Sequence, residues 1–369
     1  MNVELKHILI VTSEFPPQPG GISNHAYNLA KHLQRHHFLV DLIADCRSFS
    51  SDEECVFDDD LNFKVHRIMR RKLRVLMYLN RIIILFKLIK TSDVVIATGK
   101  FSLWMVAFSS LFYNKKFIAI LHGSEVNYSQ KFLKHSINWS LKRFSKLIAV
   151  SNYTKSLVSH LNHQGIVVIP NGFDTSKWNL KNTQTLNLNG QPKLITVGNV
   201  TNRKGQLNVI NMLPELIKNY PEIHYHCVGI PSQKEEFISI ALKLKVETHI
   251  TFHGKVGDLR LQELLQSSDV FVMLSNPTQS GDVEGFGIAI IEANALGLPS
   301  IGSVNCGIED AISDKKSGIL VHYDDSVAFL KALNTILNHY ENYKTEAKQW
   351  ALQHSWDSII INYIKEIRN

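Results

Sequence analysis

The stretch of the chain that says most about its fold reads Glu284-Gly285-Phe286-Gly287-Ile288-Ala289-Ile290-Ile291-Glu292-Ala293 and continues as Leu296-Gly297-Leu298-Pro299. Its apolar run predicts a helix that follows a glycine-rich turn and precedes a short buried strand at 300–302. Glu284 and Glu292 are eight positions apart, which on a helix is close to two turns, or about 12 Å along the axis. We therefore predict that both carboxylates lie near one face. Two exposed glutamates on an ordinary helix would explain the charges but not the pair Gly285 and Gly287.

The same alternation of apolar runs and helix-length amphipathic stretches extends over the whole chain. Helical patterns include 23–36 and 75–90. The predicted buried strands are 8–12, 39–44, 94–98, 117–121, 147–150 and 167–169, and then 193–197, 224–228, 250–252, 270–274 and 300–302. Continuous apolar strands separated by helices indicate parallel sheets that are covered on both faces. Because a polar stretch at 174–192 divides the pattern, we predict an α/β fold of two Rossmann-like, doubly wound domains, 1–175 and 188–349, which face each other across a cleft.

The composition is that of a folded protein. The chain has 369 residues, of which 44% are hydrophobic and 20% charged, and these values exclude a disordered, collagenous or low-complexity class. The formal net charge of +7 is unevenly divided, with +10 in residues 1–173 and −3 in residues 174–369. This asymmetry predicts that one domain faces an anionic partner, either a membrane surface or a nucleic acid.

The cysteines favour a reducing compartment. They are scattered, without a Cys-x-x-Cys pair or a metal-ligand spacing, at Cys46, Cys55, Cys227 and Cys306. Neither a disulfide framework nor a structural zinc site is therefore predicted. The N-terminus reads as a buried strand rather than a signal peptide, and no apolar run reaches the ~18 residues of a membrane span. We expect a cytoplasmic protein that is at most peripheral to a membrane.

A loop rich in proline and glycine follows the first predicted strand and reads Phe15-Pro16-Pro17-Gln18-Pro19-Gly20-Gly21-Ile22. Gly20 and Gly21 have no Cβ, so their backbone N–H groups can approach a ligand at the start of the following helix. Such a helix start favours an anion. The alternative is an ordinary turn between a strand and a helix.

Two further motifs also follow predicted strands. His122-Gly123-Ser124-Glu125 follows the strand at 117–121, which places His122 at the carboxyl edge of a sheet, where ligands bind in such folds. Gly198-Asn199-Val200-Thr201-Asn202-Arg203-Lys204-Gly205 follows the strand at 193–197 and brings two cations, Arg203 and Lys204, to a helix start. Fixed cations beside backbone donors suit a diphosphate. The alternatives are a structural histidine and a solvated basic turn.

Taken together, these motifs resemble family 4 of the retaining glycosyltransferases, which have the GT-B fold. Its patterns G-G-I, H-G-x-[DE], N-G-[VF]-D, G-[RN]-x-x-x-x-K-G and E-G-F-G-x-x-x-x-E-A all occur here in order, the third of them at 171–174. Residues 252–256 match its base-binding loop. The residues around Trp356 resemble the segment that returns to the first domain, so that a C-terminal helix, 350–369, is expected to pack back on it. The resemblance covers essentially the whole chain.

The resemblance also implies roles for individual residues. Domain 1–175 would lie on the acceptor side, and domain 188–349 would bind the nucleotide sugar. The residues implied at the donor are Gly20 and Gly21 beside the diphosphate, His122 at the sugar, Arg203 and Lys204 at the diphosphate, Glu284 at the sugar hydroxyls, Gly285, Phe286 and Gly287 through their backbone, Glu292 at the ribose, and Val256 at the base. One departure is Asn199, where many members have Arg, which leaves Arg203 as the replacement cation.

The implied reaction transfers a hexosyl unit from a UDP- or GDP-linked sugar to an acceptor hydroxyl, with retention of the anomeric configuration. His122, Glu284 and Lys204 would be the catalytic residues. Neither a cofactor nor a metal is expected, because lysine and helix N-termini stabilise the diphosphate. Asp58-Asp59-Asp60 is similar to a metal-binding D-x-D but is predicted to belong to a solvated surface loop, 48–60. The alternatives are a GT-B nucleotide-sugar epimerase, a soluble synthase-type glucosyltransferase and a non-catalytic subunit that binds a sugar nucleotide.

Two acid-free stretches hold most of the excess positive charge. Residues 61–92 contain nine Lys or Arg, and residues 126–173 contain six. Within 67–90 the cations are interleaved with apolar residues, a pattern typical of a helix that lies on a membrane surface. We predict that the first domain docks on anionic lipid at the inner face of the plasma membrane, with a lipid-linked or cell-envelope glycan as acceptor. The alternative is a core-packed helix with a solvated charged face, whereas a nucleic acid would leave the paired glutamates and glycines unexplained.

Overall fold

The structure, a computed structural model, describes residues 6–47, 52–178, 184–278 and 281–369. The chain divides into two compact units. The first comprises Met1–Gly172 together with Trp356–Asn369, and the second comprises Phe173–Ser355. The chain therefore passes twice between the units.

The first unit is built on a parallel sheet. Its described strands are β1 (His7–Thr12), β2 (Leu39–Asp45), β3 (Lys64–Ile68), β4 (Val94–Thr98), β5 (Lys116–Leu121), β6 (Lys146–Ala149) and β7 (Ile166–Val168). The helices between them are α1 (Gly21–Arg35), α2 (Asp52–Asp59), α3 (Arg74–Ile89), α4 (Lys100–Ser109), α5 (Lys131–Leu141) and α6 (Asn152–Leu157). The strand order is β3-β2-β1-β4-β5-β6-β7, so the winding direction reverses between β1 and β4.

The burial of β1 explains why its sequence is a continuous apolar run. Leu9 and Val11 join a core cluster that includes residues of α3 and α4. Ile8 and Ile10, which alternate with them, are also fully buried. Because successive side chains of a strand point to opposite faces, both faces of the sheet are covered at this strand.

The second unit repeats this plan with a six-stranded parallel sheet in its described residues. Its strands are β8 (Lys193–Val197), β9 (His224–Val228), β10 (Ile250–Gly254), β11 (Val270–Met273), β12 (Ser300–Ser303) and β13 (Gly318–Val321). Its helices are α7 (Gln206–Asn219), α8 (Lys234–Leu244), α9 (Asp258–Gln266), α10 (Ile288–Ala295), α11 (Ser326–Asn338) and α12 (Tyr340–Gln353). The order β10-β9-β8-β11-β12-β13 reverses between β8 and β11. Each unit is thus doubly wound, and each has one switch point at which ligands favour the carboxyl ends of the strands.

The last helix, α13 (Trp356–Arg368), belongs to the first unit and packs on α1. Nε2 of His25 and the hydroxyl of Tyr363 form a hydrogen bond of 2.9 Å, and the rings of His32 and Trp356 are stacked. Gly172 lies against the same tryptophan, since a Cβ at this position would be 2.9 Å from the indole ring. The glycine of the N-G-F-D motif therefore has a packing role in this fold.

All eleven predicted strands are present, but β3 and β13 were not predicted. The sequence of β3, Lys-Val-His-Arg-Ile, alternates polar and apolar residues because it is an edge strand that is only partly buried. The first residues of the basic amphipathic stretch 67–90 belong to this strand, and the helical pattern predicted at 75–90 is confirmed as α3, which begins at Arg74. Among the described residues, no helix is both long and apolar enough to cross a bilayer.

The prediction of a solvated surface loop at 48–60 is wrong in its described part. Asp52–Asp59 forms α2, whose first turn is acidic and therefore complements the helix dipole. Residues 48–51 lie outside the described residues. Both oxygens of Asp58 accept hydrogen bonds of 2.8 Å from the guanidinium of Arg67 on β3, so this carboxylate is held in an ion pair. No group of three or more His, Cys, Asp or Glu side chains in the described ranges is arranged to hold a metal ion.

Candidate active site

Two loops of the second unit meet at its switch point. The β8 loop (198–205) follows β8, and the described part of the β11 loop (274–287) follows β11. The hydroxyl of Ser275 donates a hydrogen bond to the carbonyl of Arg203, and the carbonyl of Ser275 accepts one of 2.6 Å from the Ser303 hydroxyl. Hydrogen bonds of this kind fix the position of the β8 loop relative to the strand ends.

Gly205 explains the glycine that ends the β8 motif. Its φ of +79° lies in the left-handed region, and a Cβ here would be 2.1 Å from the carbonyl oxygen of Leu274. Only glycine fits both conditions. This close approach brings the preceding residues, Arg203 and Lys204, against the β11 loop.

Four charged side chains gather where the two loops meet. Lys204 Nζ is 2.7 Å from Glu284 Oε2, and the Arg203 guanidinium donates a hydrogen bond to the same oxygen. Nε of Arg203 also lies 3.2 Å from Oδ2 of Asp282. The structure thus brings together three of the residues predicted for the site and adds one that was not predicted, Asp282.

The carboxyl of Glu284 is held in its charged form. Burial alone would raise its pKa, but the charges of Lys204 and Arg203 and their hydrogen bonds together lower it below the usual value. Glu284 is therefore an anion when the site holds no ligand, and it neutralises the cations that surround it.

The spacing of the two glutamates predicts that Glu284 and Glu292 lie on one helix, and this prediction is wrong. Helix α10 begins at Ile288, after Gly287 with a φ of +87°, and Glu284 belongs to the turn before it. The main chain of this turn is anchored, because the N–H of Gly307 donates to the carbonyl of Glu284. Helical periodicity does not extend to Glu284, because the left-handed Gly287 separates the turn from the helix.

Glu292 lies on α10 and has a strongly shifted acidity. Burial raises its pKa to about 7, an effect that the charge of Asp258 increases and those of Lys177 and Lys204 reduce. Lys177 and Asp258 form an ion pair of 2.9 Å. The Glu292 carboxyl therefore changes charge close to neutral pH.

Val256 lies between β10 and α9, in a turn with open space beside it. A Cβ added at Gly254 or Gly257 would meet no other atom of the described residues within 4 Å. Phe286, by contrast, is buried and packs against His354. Its side chain is therefore not available to a ligand, and only its backbone could take the role predicted for it.

In the first unit, His122 lies directly after β5, at the carboxyl ends of the strands. A 2.8 Å hydrogen bond joins its Nε2 to Oγ1 of Thr98, the last residue of the neighbouring strand β4. Its backbone N–H donates to the buried carboxyl of Glu125. Burial lowers the pKa of the His122 imidazole to about 4, so the ring is neutral at physiological pH.

Gly20 and Gly21 form the N-terminus of α1 in the same unit. Gly21 is the first residue of this helix, and no other atom in the part of the chain that the structure describes lies within 4 Å of a Cβ built on it. One turn further on, the ring of His25 packs edge-to-face with that of His122, with 4.9 Å between centroids. The start of α1 and His122 are thus close together within the first unit.

Sequence comparison places the chain in a known family. Residues 19–177 match the family model described as Glycosyltransferase Family 4, and residues 179–350 match the one described as Glycosyl transferases group 1. The chain belongs to glycosyltransferase family 4. The two matches together span nearly all of the chain, including every candidate site residue.

Relatives of this glycosyltransferase resemble it over most of their length. A GDP-mannose-dependent alpha-(1-6)-phosphatidylinositol monomannoside mannosyltransferase of Mycolicibacterium smegmatis is 25% identical over 89% of each chain. The Anabaena protein Alr3699/HepE, solved with UDP and glucose, has 18% identity and a TM-score of 0.77, with 98% of this chain and 99% of that one covered. A Rickettsia africae glycosyltransferase has 20% identity and a TM-score of 0.79, with 99% and 98% covered. Together with the two doubly wound sheets, these likenesses establish the GT-B fold.

Three residues that contact the predicted site residues were missed in the sequence. Thr98 and His25 contact His122, and Asp282 contacts Arg203. Thr98 is the last residue of a predicted strand, and the strand that His122 follows comes next in the chain. That position could have marked Thr98 as a neighbour of His122. Nothing in the sequence singles out Asp282, because an isolated aspartate has no diagnostic spacing.

Proposed function

We propose that this glycosyltransferase moves a hexosyl unit from a UDP- or GDP-linked sugar to a hydroxyl of a lipid-linked or cell-envelope glycan, with retention of anomeric configuration. The observation that carries the proposal is the cluster of Arg203, Lys204 and Glu284 at the switch point of the second unit. Cations fixed beside a left-handed glycine turn suit a diphosphate, and the carboxylate beside them suits sugar hydroxyls.

The leaving diphosphate determines what the site must stabilise. As the glycosidic bond breaks, negative charge builds up on the diphosphate, and Lys204 and Arg203 neutralise it there. Such preorganised electrostatic stabilisation is usually the largest contribution to catalysis. Because these cations supply the neutralising charge, the proposed reaction needs no metal ion, and the nucleoside diphosphate oxygen takes the proton of the attacking acceptor.

His122 has a role at the sugar that follows from its neutrality. A neutral imidazole presents one donor and one acceptor nitrogen, and Thr98 already engages Nε2. With its pKa lowered to about 4, the ring is not a proton donor at physiological pH. It would therefore orient the donor sugar by hydrogen bonding, while Glu284 and Glu292 bind the sugar and ribose hydroxyls.

Two relatives support a nucleotide sugar as donor. The mycobacterial relative is named as GDP-mannose-dependent, and the Anabaena structure contains UDP and glucose. The first name also includes a phosphatidylinositol mannoside, which is consistent with a lipid-linked acceptor here.

The first unit has a surface suited to anionic lipid, although not the one that charge counting suggested. Two of the nine cations in 61–92 form ion pairs within the chain, Arg67 with Asp58 and the buried Arg81 with Asp45. These two side chains are therefore not available to a lipid surface. What α3 exposes instead is an apolar stripe, Leu76, Leu79 and Ile83. Exposed cations at both ends of this stripe complement an anionic headgroup layer: Arg71, Lys72, Lys87 and Lys90. We propose that this stripe docks on the inner face of the plasma membrane.

The catalytic assignment is tested with two lysine variants of the second unit. Lys204→Ala should lower the turnover of a donor sugar by at least about a hundredfold, because it removes a charge from the leaving group. Lys218→Ala is the matched control, since Lys218 is exposed and pairs only with its helix neighbour Glu215 among the contacts described. Release of nucleoside diphosphate measures turnover. Equal turnover in both variants would refute the assignment.

A further inference from the structure

Arg203 is bound by two carboxylates, of which only one has a role in the proposed transfer. Its guanidinium donates to Glu284, and its Nε lies 3.2 Å from Oδ2 of Asp282. The two acids differ in exposure, since the Glu284 side chain is 11% exposed and that of Asp282 is 47% exposed. Asp282 therefore contacts the cation from the solvent side.

Both members of this outer ion pair are held in place by their loops. The N–H of Asp282 donates to the hydroxyl of Thr278 at 3.0 Å, and the N–H of Thr278 donates to the carbonyl of Asp282. On the other side, the carbonyl of Arg203 accepts a hydrogen bond from Ser275. The backbones that carry Arg203 and Asp282 are thus held by hydrogen bonds within the described residues, which places the two side chains within reach of each other.

The cluster is electrically balanced without a ligand. Two cations, Arg203 and Lys204, face two anions, Glu284 and Asp282. A nucleoside diphosphate brings several negative charges to the same cations. It has to compete with the carboxylates for them, and any carboxylate that stays close repels it.

We propose that Asp282 is a positioning residue that holds the Arg203 guanidinium and competes with the diphosphate for it. The inference rests on the proposed function, because it takes the diphosphate to be the ligand of Arg203. Because the Asp282 carboxylate is 47% exposed, water weakens its ion pair with Arg203 enough for a ligand to replace it. Asp282 then lowers the affinity of the site for the donor and for the nucleoside diphosphate product alike, which favours release of the product.

The test measures the binding of UDP and GDP by calorimetry to the full chain and to Asp282→Asn. We expect the better-bound nucleotide to bind roughly two- to fivefold more tightly to the variant, which is what one exposed charge pair supplies. Asp282→Glu should restore the affinity of the native protein. Asp324→Asn is the matched control, because Asp324 is an exposed carboxylate of the same unit and pairs with His322. In turnover, Asp282→Asn should lower the KM for the donor without raising kcat.

A double-mutant cycle tests whether Asp282 acts through Arg203. In an Arg203→Ala background, Asp282→Asn should no longer tighten the binding of the nucleotide, because the cation for which Asp282 and the diphosphate compete is absent. The same gain in both backgrounds would overturn a role through Arg203. Unchanged or weaker binding to Asp282→Asn would overturn the competition itself. If the native protein bound neither UDP nor GDP, the nucleotide site would be refuted and this inference with it, a result distinct from the other two.

Discussion

At the scale of single residues, Glu292 would link the proposed binding of the donor to pH. Its pKa is raised to about 7 by burial, so the folded protein keeps a proton that the unfolded chain loses near pH 4.5. Stability therefore falls as the pH rises from about 4.5 to about 7 and stays low above that. Ribose hydroxyls, in contrast, are best accepted by the charged carboxylate. The same group thus costs stability under the conditions in which it would bind best.

We predict that Glu292→Gln raises the melting temperature relative to the native protein, and more so at pH 8 than at pH 5. The same variant should bind nucleoside diphosphate about tenfold more weakly at pH 8, because hydrogen bonds to a charged group are lost. In the native protein, affinity should decline as the pH falls through 7, whereas in the variant it should stay level. Thermal unfolding and calorimetry over this pH range provide the measurement. A melting temperature difference that is the same at both pH values would contradict the account.

Gly205 gives a prediction about backbone geometry. Gly205→Ala should lower the free energy of unfolding by more than about 2 kcal/mol, since a Cβ would clash with the Leu274 carbonyl at a strained φ. Gly257→Ala is the comparison variant, with an ordinary φ of −74° and open space, and should change the stability by less than about 1 kcal/mol. Denaturant unfolding distinguishes them. Equal effects would show that the close approach at Gly205 does not constrain the loop.

The residues that sequence reasoning found share one property. Glu284, Arg203 and Lys204 lie in dense motifs where glycines and charges recur at short spacing, and the structure brings them together. Asp282 was missed because it lies outside these motifs and no spacing marks it. The placement of Glu284 on α10 was wrong because periodicity carries no information about the positive φ of Gly287.

At the scale of elements, α3 provides the test of membrane docking. We predict that the double variant Leu79→Glu, Ile83→Glu reduces binding to anionic vesicles at least about tenfold, because two apolar side chains of the stripe become anionic. Sedimentation with vesicles that contain phosphatidylglycerol, at low salt, measures the bound fraction. Leu79 is 50% exposed and Ile83 is 65% exposed, so the two substitutions should leave folding unaffected.

Val327→Glu is the control for that experiment. Val327 is 74% exposed and lies on α11 of the second unit, outside the stripe. This variant should bind vesicles as the native protein does. Docking would be excluded if the native protein failed to sediment with anionic vesicles, or if the α3 and α11 variants behaved alike.

Elements buried on both faces were predictable, and those at the edges were not. Strands such as β1 and β4 are continuous apolar runs because helices cover both of their faces. The edge strand β3 and the acidic helix α2 carry polar sequences that are stabilised by pairs such as Arg67 with Asp58. Arg67 and Asp58 are close in the sequence but lie on different elements, and they meet only when α2 packs beside β3. Composition carries no information about such a pair, so counting charges assigned these cations to the surface.

At the scale of the whole molecule, the uneven charge of the chain has two different explanations. Part of the positive charge of the first unit is used internally, by Arg67 and Arg81, and the remainder includes the cations that flank the α3 stripe. The second unit carries a small net negative charge but concentrates two cations at its switch point. The ligand proposed for each unit therefore rests on a local arrangement of charges, and not on the net charge of a half.

The central claim is that the chain transfers a hexosyl unit from a nucleotide sugar without a metal ion. The most direct measurement follows the release of nucleoside diphosphate from a panel of UDP- and GDP-hexoses in the presence of EDTA, with water or added glycan as acceptor. The account predicts that at least one donor is turned over and that a glycosylated product keeps the anomeric configuration of the donor. Turnover of none of the donors, turnover only with an added divalent metal, or an inverted product would contradict it.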